Sequence, residues 1–189
     1  MSFPNVINPD DEVTRWALRA RSGDRDALER FVRATQRDVW RFVAHLADVD
    51  VADDLAQETY ARALGSLRRF AGRSSARTWL LSIARRVVVD QVRLARSRPR
   101  LSPGADWRRE ADRRPVDSGF EGVVELNLLL DGLDEDRREA LVLTQVLGLS
   151  YAEAAEVAGC PIGTIRSRVA RAREDLVRAT GRSGATEAG

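Results

Sequence analysis

Thr164, Arg166, Ser167, Ala170 and Arg171 fall in one short run near the C-terminus, with Arg168 and Arg173 among them. A guanidinium offers a planar fork of donors that matches guanine or phosphate oxygens, and short hydroxyls reach base edges. On a helix this set suits recognition in a DNA major groove. It also suits an ordinary amphipathic helix with a solvated charged face. The residues just upstream decide between the two. Ser150 and Glu153 make an S-x-x-E capping box. Ala155 is small, as needed where two helices cross closely. Gly159, four residues later, supplies a positive φ for the turn. Pro161 suits the first turn of the next helix, and Ile165 would pack back on the first. This small–glycine–aliphatic spacing predicts a helix-turn-helix, so the basic face is read as DNA-binding.

Two further clusters carry charge. Asp53, Asp54, Gln57 and Glu58 lie together. Asp54 and Glu58 are four apart on a helix and repel by a few tenths of a kcal/mol. The cluster fits either a basic partner surface or a helix N-terminus favoured by its dipole, with Arg62 relieving Glu58. The second cluster is basic, with aromatics interleaved: Phe70, Arg73, Ser74, Ser75, Arg77, Trp79, Arg85, Arg86, Arg93 and Arg96. Cations beside rings suit single-stranded or melted DNA, where phosphates and bases are both available. Trp79 sits among Leu80, Leu81 and Ile83 and reads as core.

Helical periodicity runs through the segments that must position these groups, and strand signals are nearly absent. Helices are predicted at roughly 10–21, 24–48, 50–67 and 75–96, with Ser74 or Ser75 capping the fourth. Residues 97–122 are rich in Arg, Pro and Gly and lack an apolar stripe, which predicts a flexible linker. Helices return at 123–130, 134–147, 150–158 and 161–180, with Asp134 as an N-cap and Gly148 following a helix end. The expected architecture is all-α. One helical domain covers 10–96, and a second, with the helix-turn-helix, covers 123–182.

Composition narrows the function classes. The 189 residues are 43% hydrophobic, enough for buried cores, and 32% charged, above the roughly 25% of an average domain. Every basic residue is arginine, and the balance of 31 basic against 29 acidic residues hides an asymmetry. Acids dominate residues 1–60 and arginines dominate 68–115, which predicts a basic binding face. Cys160 is the only cysteine, so no intrachain disulfide forms and a reducing cytoplasm fits. No apolar run approaches a membrane span, and the first eleven residues lack a signal-peptide pattern. The sequence has no metal-spaced Cys/His cluster, no glycine-rich phosphate loop and no nucleophile–base pair. A binding protein without metal, cofactor or small-molecule substrate is therefore expected, rather than an enzyme.

Three motifs in order, DDLAQETYARA, RSSARTWLLSIARR and GLSYAEAAEVAGCPIGTIRSRVARAREDL, resemble the extracytoplasmic-function (ECF) sigma factors, the type with only domains σ2 and σ4. The resemblance spans about Glu12 to Ala179, and its finer wording is similar to the SigC-type group of actinobacteria. It implies a transcription initiation factor that docks on core RNA polymerase, its β and β′ subunits, and directs promoter-specific initiation. Asp53, Asp54, Gln57 and Glu58 match the region that docks on the β′ clamp helices. The loop from Phe70 to Arg77, with Arg73, Ser74 and Ser75, matches the part that captures a flipped −10 base. Arg85, Arg86 and Arg93 lie on the helix beside the −10 element. Thr164, Arg166, Ser167, Ala170 and Arg171 match positions facing the −35 major groove. An anti-sigma partner is a further possibility the resemblance opens. Arg86 stands where many relatives carry Asn. Ala170 stands where some relatives carry a larger side chain; it suits apolar contact with a thymine methyl but offers no hydrogen bond. The rival is a stand-alone helix-turn-helix regulator that never docks on polymerase, and the acidic cluster discriminates the two.

Overall fold

The structure, a computed structural model, describes residues 9–97 and 119–186. Among the described residues it is all helical, with α1 (Pro9–Arg21), α2 (Arg25–Leu46), α3 (Ala52–Ser66), α4 (Ala76–Ser97), α5 (Gly119–Leu130), α6 (Glu135–Leu141), α7 (Tyr151–Ala158) and α8 (Ile162–Thr186). The expected all-α class is found. Most of the expected linker, residues 98–118, lies outside the described residues, and its last four residues belong to α5.

Helices α1–α4 form the first unit, with α2 at its centre packed on α1, α3 and α4. Asp24 starts α2 by accepting from the Ala27 amide at 2.9 Å, which satisfies one of the unpaired donors of a helix start. Phe31, Thr35, Val39, Phe42 and Val43 then recur on one face and are buried. Burying each large apolar side chain contributes about 1.5–3 kcal/mol. The one hydroxyl in that stripe is satisfied, since Thr35 Oγ1 donates to the Phe31 carbonyl at 2.8 Å. Ser75 caps α4, its Oγ accepting from the Thr78 amide at 3.0 Å. Thr14 Oγ1 of α1 takes the Ala76 amide at 2.9 Å. The two hydroxyls fix where α4 begins relative to α1.

Helices α5–α8 form the second unit. Asp134 caps α6 through the Asp136 amide, as expected. The predicted helix over 134–147 differs in its last turn. Val142–Val146 widen into a π turn, with the Leu147 amide reaching the Val142 carbonyl at 3.0 Å. Gly148 (φ +70°) then turns the chain, and Leu149 donates back to Leu143 at 3.0 Å. Leu143, Leu147 and Leu149 are all buried, so the extra residue in the turn keeps three leucines in the core.

The two units share one continuous apolar core, with α4 packed on α7 and α2 on α5 and α6. Four hydrogen bonds among the described residues cross the boundary. Arg85 Nε donates to buried Glu139 Oε1 at 2.5 Å. Arg77 Nη2 donates to the Leu147 carbonyl at 2.6 Å. Asn127 Nδ2 donates to the Ala44 carbonyl at 2.9 Å, while its Oδ1 sits 2.7 Å from His45 Nδ1.

Candidate nucleic-acid interface

The C-terminal turn is built as its residues require. The Ser150 amide donates to Glu153 Oε2 at 2.9 Å, and the Glu153 amide donates to Ser150 Oγ at 3.2 Å. These reciprocal bonds close the capping box. Gly159 adopts φ +65°, where an L side chain is strained. Cys160 donates its amide to the Ala155 carbonyl at 3.1 Å. Ile165 is fully buried against the preceding helix. The packing fixes which side of α8 faces solvent.

On that side Arg166, Ser167, Ala170 and Arg171 are exposed, and Thr164 is half-buried at its edge. Their spacing places them on one helical face. Among the described residues Arg166 and Arg171 have no carboxylate partner, so their donors are open to solvent. Arg168 and Arg173 part from this face. Arg168 is tied to Asp136 of α6, and Arg173 Nη2 donates to Gln145 Oε1 at 2.9 Å. Both are spent on holding α8 to the rest of its unit.

The acidic cluster divides in two. Asp53 accepts from Trp40 Nε1 at 2.8 Å. Glu58 accepts from Arg62 Nε at 2.7 Å, and Arg62 also reaches Asp90 of α4 at 2.6 Å. Arg62 therefore relieves Glu58, as its spacing predicts. Asp54 and Gln57 remain exposed without such ties, one turn apart on the outer face of α3.

The basic cluster is where the structure corrects sequence reasoning. Phe70 was expected to meet an unstacked base. Its ring is 4% exposed, with its centroid 4.8 Å from that of Trp79. Phe70 is buried in the core, and Trp79 is half-buried and packs against it. The Phe70 carbonyl is held by Arg21 Nη1 at 2.9 Å, so the ring anchors the loop that follows. Ser75 is a helix cap rather than a free donor. Arg77 is held between Asp38 Oδ2, at 2.7 Å, and the Leu147 carbonyl. Arg85 is engaged by Glu139, whose hydrogen bond pushes the guanidinium pKa further up and keeps it charged. Arg73, Arg86 and Arg93 are exposed, and Ser74 is half-buried beside them. Sequence reasoning missed Glu139 and Leu147 as partners of this face, and Asn127 as a partner of α2. The one signal was a lone Asn within the apolar run VVELNLLL.

No helix among the described residues is long and apolar enough to cross a membrane, and no group of His, Cys, Asp or Glu among them could hold a metal. The chain matches sequence models of sigma-70 region 2 over residues 31–98 and sigma-70 region 4 over residues 124–176. It is 58% identical over 172 residues to the ECF RNA polymerase sigma factor SigC of Mycobacterium tuberculosis, covering 91% of this chain and 93% of that one. It is 35% identical to the ECF sigma factor EcfG of Rhodopseudomonas palustris, covering 80% and 83%. Among solved structures, the sigma factor RpoE of Bartonella quintana, in complex with the anti-sigma factor NepR, superposes with a TM-score of 0.63 at 28% identity, covering 79% and 93%. CnrH, solved with the cytosolic domain of CnrY, shares the fold with a TM-score of 0.71 at 24% identity, covering 90% and 98%. With region 2 carried by the first unit and region 4 by the second, the chain belongs to the ECF family of RNA polymerase sigma factors.

Proposed function

We propose that this sigma factor docks on core RNA polymerase through the Asp54–Gln57 face of α3 and selects promoters with two separate DNA-binding surfaces. Arg166, Ser167, Ala170 and Arg171, edged by Thr164, read the −35 duplex in the major groove. Arg73, Ser74, Arg86 and Arg93 meet the −10 strand, and Arg77 and Arg85 join them once released from the second unit. Asp53 and Glu58 shape the docking face, while Phe70 positions the −10 loop from beneath. The factor performs no covalent step. Catching an unstacked base offsets the few kcal/mol that unpairing costs, and the polymerase makes the bonds.

The observation that carries this reading is the open arginine face of α8 behind a completed capping box, joined in one chain to an acidic face on α3. This reading also calls for a rearrangement. Elements named −35 and −10 lie about 25 base pairs apart, or about 85 Å at roughly 3.4 Å each. A compact chain of this length has a radius of gyration of only ~16 Å. The packed arrangement is thus the free factor, and promoter binding separates the units. A protein partner that holds the free factor is supported by the likeness to RpoE, a sigma factor solved with an anti-sigma factor.

Transcription with core polymerase and genomic fragments tests the reading: promoter-specific starts are expected only with the factor present. Replacing Asp54 and Gln57 with Ala is expected to weaken core-polymerase pull-down at least severalfold, with −35 duplex binding unchanged. Undiminished pull-down would favour a stand-alone DNA-binding regulator.

A further inference from the structure

His45 is the only histidine in the chain, and its side chain is fully buried where α2 meets the second unit. Its neighbours fix its chemistry. Asn127 of α5 donates its Nδ2 to the Ala44 carbonyl, which turns its Oδ1 toward the imidazole. An amide oxygen only accepts, so His45 Nδ1 carries the proton and donates at 2.7 Å. The other ring nitrogen, Nε2, is buried with no hydrogen-bond partner. In the neutral ring it is a lone pair. Protonation would place an N–H there with no acceptor and a full charge in a desolvated site. The charged groups around the ring oppose that charge as well. Arg41 comes from its own helix and Arg138 from α6, and both repel an imidazolium. Arg138 is itself turned to Asp131 at 3.1 Å, and its Nε is buried without a partner. Asn127 is the contribution of α5, and it accommodates the neutral ring through its one accepting oxygen.

We propose that His45 is a proton-sensitive latch between the two units: the neutral ring closes on Asn127, and the protonated ring forces the units apart. Burial, the largest effect, holds the imidazole pKa below its ordinary value. The Asn127 bond opposes the shift, and Arg41 and Arg138 add to it. The sign follows. In the open state the ring meets water and takes protons near its ordinary value of about 6.5. The closed form is therefore fully favoured above that pH and loses ground as pH falls below it. For a ring that stays neutral when closed, the open-to-closed ratio rises roughly tenfold between pH 7.5 and 5.5. Acidification thereby frees Arg77 and Arg85 for DNA.

The single histidine makes the test direct. In the untagged full chain, the one imidazole Cε1–H resonance reports the titration, and small-angle scattering reports separation of the units. Expected are an apparent His45 pKa below the ordinary value and a radius of gyration that grows as pH falls from 7.5 to 5.5. His45→Gln is expected to abolish that growth, which removes the carboxylates as its source. Asn127→Ala, which keeps the ring but removes the contact that closes on it, is expected to enlarge the radius of gyration at pH 7.5 and to flatten its growth toward pH 5.5. A histidine titrating at or above its ordinary value in the unaltered chain would overturn the latch. Equal expansion of the chain and its His45→Gln variant would overturn it too. If His45→Gln fails to fold, a scattering profile in Asn127→Ala identical to that of the unaltered chain at both pH values overturns it. Neither DNA nor polymerase enters this test, so its failure would leave the transcription reading standing.

Discussion

Arg166 and Arg168 are two positions apart, carry the same chemistry and have opposite fates. Arg166 projects into solvent beside Ser167 and Arg171, while Arg168 turns inward to Asp136 and lies 3.7 Å from the Cys160 sulfur. Arg166→Ala is expected to weaken binding of the correct −35 duplex by about 1–3 kcal/mol, as loss of a bidentate base contact does. Quantitative gel shift against correct and scrambled duplexes measures it, and an equal loss on both would reduce Arg166 to a phosphate contact. Arg168→Ala is expected to loosen α8 from α6 and leave sequence preference intact. The run of arginines was legible in the sequence, but its division was not. Helical spacing says which residues share a face, not which face a neighbouring Asp or Gln has already claimed. Phe70 failed for the same reason. A ring among arginines reads alike whether it points to solvent or, as here, packs on Trp79.

The elements were far more legible, because caps and turns are local. Ser150, Glu153 and Gly159 specify the helix-turn-helix through contacts within a few residues, and every one of these contacts is made. Ser150→Ala removes the cap and is expected to cost about 1 kcal/mol. Gly159→Ala has open space around its added Cβ but holds φ +65°, so strain alone is expected to cost about 1–2 kcal/mol. Each should lower the thermal midpoint by roughly 2–4 °C per kcal/mol for a chain of this size. An unchanged midpoint for Gly159→Ala would mean the turn relaxes to negative φ. The π turn at Val142–Val146 was not legible, since one residue of slippage barely alters an apolar pattern. It matters to the architecture because it brings the helix to its end at Leu147. That residue's carbonyl, like others at a helix end, has no partner within its own helix, and Arg77 of the first unit supplies one.

At the scale of the whole molecule, the closing contacts join residues 54, 70 and 82 positions apart. Periodicity carries no information at such separations, which is why two domains were legible and their embrace was not. The contacts are also unequal in what they occlude. Arg77 and Arg85 of the proposed −10 face are engaged, whereas the proposed −35 face of α8 is exposed in the closed form. Separation of the units should therefore change one affinity and not the other. Glu139→Gln tests this with little change in volume. It leaves Arg85, whose side chain is 30% exposed, facing a neutral amide in the closed form, whereas in the open form both groups are solvated. Removing one partner of a buried pair costs about 3–5 kcal/mol. The retained amide and the exposure of Arg85 discount this to ~1.4 kcal/mol, or tenfold. Binding of a single-stranded −10 oligonucleotide is expected to tighten by about that factor, provided closure dominates in the unaltered chain. Binding of the −35 duplex is expected to stay the same. Tightening of both would mean that α8 is also restrained by closure, and tightening of neither would mean that the Arg85–Glu139 pair does not hold the units together.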